Sequence, residues 1–155
     1  MGLSLFRAAC AGLFALSLAG CQSLTALDTK QDDSATYQGF VGQNALAVGA
    51  KHYAAGNFGL AEKSFRAAVE ATPANSRAWL GLAASYDQLG RYELADRAYD
   101  HLLKQEGRKA SILNNKGYSY ILRGDMDKAR PLLHEAQALA PENTIISGNL
   151  QLTEG

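Results

Sequence analysis

The chain has 155 residues, with 15 basic and 15 acidic side chains and a formal net charge of zero. That balance excludes the basic footprint that nucleic-acid binding requires. Two cysteines (Cys10 and Cys21) and three histidines (His52, His101 and His134) give no set with metal-ligand spacing. Glycine-rich phosphate loops, serine elbows and zincin helices are also missing, so no catalysis and no cofactor is expected.

At the N-terminus, Arg7 precedes an apolar stretch from Ala8 to Ala19, too short to span a bilayer as a stable helix. It reads as the hydrophobic region of a secretory signal over residues 1–20. The stretch ends in Leu18-Ala19-Gly20-Cys21, which resembles a bacterial lipobox. The resemblance implies cleavage before Cys21 and acylation of its thiol and new amino group. Small residues at Ala19 and Gly20 suit a narrow protease site. Cys10 is no rival, because Arg7 stands where a lipobox needs an apolar side chain. An uncleaved apolar helix, or a plain secretory signal with a chance cysteine, is the alternative. Cleavage would leave a single lipidated cysteine, hence no disulfide in an oxidising periplasm. Gln22 stands where an inner-membrane sorting rule would want aspartate, so the resemblance implies the periplasmic side of the outer membrane. Several acyl chains make such anchoring stable.

Residues 21–41 are expected to form a flexible tether. Ser23 to about Val41 is polar and lacks a helical apolar stripe, with Asp28, Lys30, Asp32 and Asp33 near its middle. As a coil it would span about 25 Å. Whether Tyr37 and Phe40 pack instead on the chain beyond residue 41 is open on hydrophobicity alone.

A period of 34 residues then sets in. Gly56, Gly90 and Gly124 share it, as do Ala61, Ala95 and Ala129. Seven residues before each glycine stand Gly49, Ala83 and Gly117, all small; nine after it stand Phe65, Tyr99 and Leu133. The period marks tandem helix–turn–helix units over 42–75, 76–109 and 110–143, closed by Pro73 and Pro141, with Gly107 at the second boundary. The glycines supply the positive φ past each first helix. Asn57 and Asp125 are placed to cap the second helices, whereas Arg91 is not. The small residues of the first helices are expected to face the alanines of the second. Pro131 lies inside the last second helix and should kink it, on the convex face. Residues 144–155 begin a further helix, suited to capping the stack.

This pattern resembles the tetratricopeptide repeat (TPR), most clearly in the middle unit at Trp79, Leu82, Ala83, Tyr86, Gly90, Tyr92, Ala95 and Tyr99. The resemblance implies an all-α solenoid of three repeats plus a C-terminal capping helix, whose first helices line a concave groove for a protein partner. Carried onto this chain, the groove would take Leu46, Ala50 and Tyr53, with Gln43, from the first unit. The second would give Arg77, Leu80 and Ala84, with Asp87 and Gln88. The third would give Asn114, Asn115 and Tyr118, with Ser111 and Ile121, and Asn149 repeats the position of Asn115 in the cap. Leu46 and Ala50 stand where one TPR subclass holds a partner's terminal carboxylate with lysine and asparagine, so that clamp is not expected. An apolar segment would lie over Leu46, Leu80, Ala50 and Ala84. Asn114, Asn115 and Asn149 would bond its backbone, and Tyr118 would anchor it. A groove filled by the tether, or left as plain surface, is the bland alternative.

The stretches Ala78 to Tyr86 and Ile112 to Ser119 are similar to the TPR lipoprotein of the tight-adherence (Tad/Flp) pilus machinery. That resemblance implies a lipid-anchored scaffold binding a secretin or other pilus component, as related pilotins do for type IV pili. A general envelope adaptor, recruiting peptidoglycan enzymes or outer-membrane assembly factors, is the alternative.

Overall fold

The computed structural model describes residues 25–154. The described residues form seven helices: α1 (Thr25–Ala54), α2 (Phe58–Ala71), α3 (Ser76–Gln88), α4 (Tyr92–Glu106), α5 (Ala110–Leu122), α6 (Met126–Leu139) and α7 (Thr144–Gln151). Ala35–Gly155 form one compact unit. In the preceding unit, Met1–Ser34, the described residues, from Thr25 on, are the helical start of α1. Cys21, the signal stretch and Gln22 lie outside the described residues.

One correction and one open question of the sequence reading belong to α1. The coil expected up to residue 41 is helix from Thr25 onward. A polar stretch without proline can continue a helix that is packed further along, since extension costs far less than nucleation. The packed part includes Gly42, which is buried. A Cβ there would come within 2.4 Å of Thr72 Oγ1, so glycine lets α1 approach the end of α2. Tyr37 and Phe40 are 65 % and 68 % exposed and stay outside the core.

Each first helix ends in the same hydrogen-bonded turn. Gly56, Gly90 and Gly124 have φ of 73°, 67° and 74°. Their N–H groups donate to the carbonyls of Tyr53, Asp87 and Ile121 at 3.0, 3.0 and 2.9 Å. The next N–H groups, of Asn57, Arg91 and Asp125, reach back to His52, Tyr86 and Tyr120 at 2.9, 2.8 and 2.9 Å. This paired pattern is a Schellman motif, which uses a left-handed residue to satisfy the last carbonyls of a helix. The period in the sequence is thus a period of helix stops.

Starts are less uniform. Asp125 caps α6 by accepting from Lys128 N–H at 3.3 Å, but Asn57 makes no cap bond, contrary to expectation. Instead Asn75 and Asn143 do this work, accepting from Arg77 and Ala78 at 3.1 and 3.3 Å and from Ile145 and Ile146 at 3.0 and 3.3 Å. Both stand two residues after the boundary prolines. Helix α6 runs unbroken through Pro131, which is exposed.

Packing follows the small residues, and Gly117 lies against Ala129 as expected, but larger side chains make the closest contacts. Ala61, Ala95 and Ala129 are fully buried. Gly49 and Gly117 chiefly face the large side chains of the second helices: an added Cβ would come within 2.8 Å of Phe65 Cδ1 and of Leu133 Cγ, respectively. Close helix approach here is therefore a matter of seating one ring or one isobutyl group in a notch. The main core joins Phe65, Leu82, Tyr86, Tyr99, Leu102 and Ile112 along the stack. Ile146 and Leu150 of α7 join two further clusters, with Leu113 and Ala136 and with Ala129 and Leu133, and Arg130 of α6 donates to the Thr153 carbonyl at 2.8 and 3.0 Å.

Candidate partner-binding face

Where the first and second units meet, α1 and α3 leave a cavity of about 270 Å3 open to solvent. Its walls are Ala50, Tyr53 and Ala54 from α1, Leu80 and Ala84 from α3, and Asn115 from α5. Phe65 and Gly81 complete the lining. A Cβ on Gly81 would come within 2.4 Å of the Phe65 ring, so the glycine is what lets that buried ring pack against α3 at the bottom. No charged side chain lines the space. Three alanines and a glycine keep its walls low, and apolar carbon makes it favourable to fill, at about 25 cal/mol per Å2 removed from water.

Five of the expected groove residues, Ala50, Tyr53, Leu80, Ala84 and Asn115, come together in this cavity. Others go elsewhere. Leu46 is half-buried against the main core. Arg77 is exposed and lies outside the lining. Tyr118, at the register position of Ala50 and Ala84, is exposed and near enough to Tyr53 to act on its ionisation. Burial pushes the Tyr53 hydroxyl above its ordinary range, opposed by a hydrogen bond with Gln88.

Asn114 and Asn149 need correction. Both were expected to bond a partner's backbone, but Asn149 Nδ2 donates to Asn114 Oδ1 at 2.9 Å, tying α7 to α5. Asn114 is buried by that arrangement. Asn115, the remaining amide, donates to the Ser111 carbonyl of its own helix at 2.7 Å. The amides thus serve the stack before any partner.

A group that sequence reasoning placed in the groove turns out to be buried. Asp87, only 5 % exposed, accepts from the Tyr99 hydroxyl at 2.9 Å and from Ser119 Oγ at 2.5 Å. Ser119 accepts in turn from Arg123 Nη2 at 2.7 Å, and Arg123 forks onto Asp96 at 2.6 and 2.8 Å. Burial raises the Asp87 carboxyl above its usual range, against the two hydroxyl bonds and the Arg123 charge. Asp96 moves the other way, held low by Arg123. Burial and the adjacent Asp87 charge push the Tyr99 hydroxyl well up. The chain of groups links α3, α4 and α5, so it fixes how the second unit meets the third. Ser119 is fully buried, so its hydroxyl, donating to the Asp87 carboxylate, sits inside the core and away from solvent.

Two family models, both of the tetratricopeptide repeat, match residues 52–112 and 85–144. No curated protein sequence matches. Among solved structures, pilF of Pseudomonas aeruginosa superposes with a TM-score of 0.66 at 27 % identity, over 76 % of this chain and 54 % of that one. This chain therefore spans about half the length of pilF. The Yersinia enterocolitica type III secretion chaperone SycD, in complex with a peptide of the translocator YopD, gives 0.61 at 22 % identity, over 72 % of this chain and 91 % of that one. The second TPR domain of human RPAP3, in complex with an HSP70 peptide, gives 0.65 at 16 % identity, over 78 % and 98 %. These last two likenesses speak for the fold alone. Period, helix stops and both family models agree: residues 52–144 are an array of tetratricopeptide repeats, carried in an all-helical solenoid with a C-terminal capping helix.

Proposed function

We propose that this chain is a lipid-anchored periplasmic scaffold whose concave cavity grips an apolar segment of a protein partner, in the service of Tad/Flp pilus secretin assembly. The observation that carries the binding half is the open cavity of about 270 Å3, uncharged and lined from α1, α3 and α5. Such a face suits a helix or strand that presents bulky apolar side chains. The Tyr53 hydroxyl and the Asn115 amide at its edge can take polar groups of the segment's backbone. The likeness to pilF supports the pilus direction. Anchoring through Cys21, at the periplasmic side of the outer membrane, rests on the Leu18-Ala19-Gly20-Cys21 motif.

The test is capture from cell envelopes with the tagged protein and with Ala84→Leu, which fills the cavity from a half-buried position. A secretin or pilus component recovered with the first and depleted with the second is the expected outcome. Recovery of cell-wall enzymes alone would favour a general envelope adaptor and overturn the pilus reading. Equal recovery by Ala84→Leu would overturn the cavity. Cys21→Ser is expected to release the protein from membranes; retained anchoring would point to an uncleaved helix.

A further inference from the structure

Helix α3 turns two faces outward. Leu80, Gly81 and Ala84 look into the concave cavity. On a helix of 3.6 residues per turn, Trp79, Leu82 and Tyr86 fall on the opposite side. There they line a second crevice of about 440 Å3, between α2 and α4. Both helices pack closely on α3, and the gap lies between them. Val69 from α2 and Leu94 and Ala98 from α4 wall it. The Trp79 N–H already donates to the Pro73 carbonyl at 2.8 Å, and its ring lies 4.1 Å from the His101 imidazole. What the crevice presents is therefore aromatic and aliphatic carbon. An apolar cavity of about 150 Å3 holds a benzene ring, so this one has room for a large side chain and part of its neighbour.

The 34-residue register supplies an internal control. In the next gap, between α4 and α6, the places of Leu82, Leu89 and Arg66 are taken by Lys116, Arg123 and Asp100. Lys116 reaches Asp100 at 2.6 Å, its side chain only 13 % exposed. Arg123 lies over the rings of Tyr92 and Tyr120, 4.9 and 4.6 Å from their centroids. Lys116 and Arg123 thus bring charge of the chain itself to that gap, whereas the first has Leu82 and Leu89 at those two places and a charge, Arg66, only at the third.

The rim of the first crevice carries two guanidinium groups and an imidazole, Arg66, Arg97 and His101, against one carboxylate, Glu70. Arg66 is held by Glu62 and by the Tyr86 hydroxyl, at 3.2 and 2.9 Å. Arg97 donates to the Glu93 carbonyl at 3.3 Å and pairs with no carboxylate among the described residues. Its charge is available to a partner. We infer that the α2–α4 crevice is a second docking surface, for a protein segment carrying an aromatic or other bulky apolar side chain flanked by carboxylates. The ring enters between Val69 and Leu94 onto Trp79, and the carboxylates meet Arg97 at the mouth.

Selection of short random displayed peptides on the full-length protein tests this, in parallel on Ala84→Leu and Arg97→Glu. Arg97 is exposed and makes a single hydrogen bond, so its reversal leaves the fold in place, as unchanged helicity and melting will show. The expected result is an acidic, aromatic class of peptides that binds the wild type and Ala84→Leu equally. Against Arg97→Glu that class weakens at least about tenfold, and added salt weakens it on the wild type. Arg97→Ala gives a smaller loss in the same direction. The inference is overturned if no such class is enriched, or if its binding survives Arg97→Glu. Loss on Ala84→Leu would assign those peptides to the concave cavity and overturn it equally.

Discussion

The two junctions between repeat units are built from opposite materials. Where the first unit meets the second, Phe65 sits between Gly49 and Gly81, and the surface beside it is apolar and incompletely filled. Where the second meets the third, Asp87, Tyr99, Ser119, Arg123 and Asp96 form a connected polar core. Apolar junctions tolerate a range of partners because carbon contact is not directional. Polar ones fix a single register, since each buried donor or acceptor left without a mate is costly. The difference runs through one solenoid: one junction leaves an apolar surface open to solvent, and the other ties the stack in order.

That contrast can be broken from either side, and the largest effect should come from the apolar one. Phe65→Ala is expected to cost about 4 kcal/mol, read as a fall in the denaturation midpoint. It removes the ring that both glycines accommodate. A loss below about 1 kcal/mol would mean that the junction collapses freely and that the cavity is not a fixed feature. Asp87→Ala comes next, at about 2 kcal/mol, because the Tyr99 hydroxyl and Ser119 lose their shared acceptor. Gly90→Ala, between the two junctions, should cost about 1 kcal/mol through its positive φ alone. No neighbouring atom lies near its Cβ position, so sterics do not add to the backbone term.

The smallest effect is one of sign. The Asp87 carboxyl is raised in the folded state, so its protonation favours folding. Its contribution is fully present below the ordinary aspartate range and is lost as pH rises through the raised value. Asp96, held low by Arg123, does the reverse: its contribution is present above the ordinary range and is lost as pH falls through the depressed value. Stability of the wild type minus that of Asp87→Asn should therefore increase as pH is lowered across the Asp87 window, while Asp96 cancels. A difference that is flat or falls with acid would show that Asp87 is not buried in solution.

Much of this was readable in advance, and the reasons for the gaps are physical. Turns repeat because each needs one left-handed residue, and Gly56, Gly90 and Gly124 announce that locally. Asn75 and Asn143 were equally local, two residues past the prolines, but went unread as caps. The start of α1 was missed because a polar run has no stripe to reveal a helix that continues from packed sequence. Asp87 was assigned to the groove because its register mates are Tyr53 and Ile121, and nothing within one repeat shows its burial. Tyr99 and Ser119, 12 and 32 residues away, bury it. Asn114 and Asn115 illustrate the same limit. Adjacent amides look alike in sequence, yet one is drawn into the stack by Asn149 and the other stays at the cavity. A lone carboxylate among aromatic and aliphatic register mates was the available sign.

The most direct measurement is photo-crosslinking in cells, with a photoreactive residue placed at Ala50 or Ala54 on the cavity wall, or at Ala138 on α6. All three alanines are exposed, so none of the replacements disturbs the core. Adducts with one and the same envelope protein from positions 50 and 54, and none from 138, are the predicted result. Adducts from position 138 alone, or an equal yield from all three, would contradict the claim that the open junction is where this scaffold meets its partner.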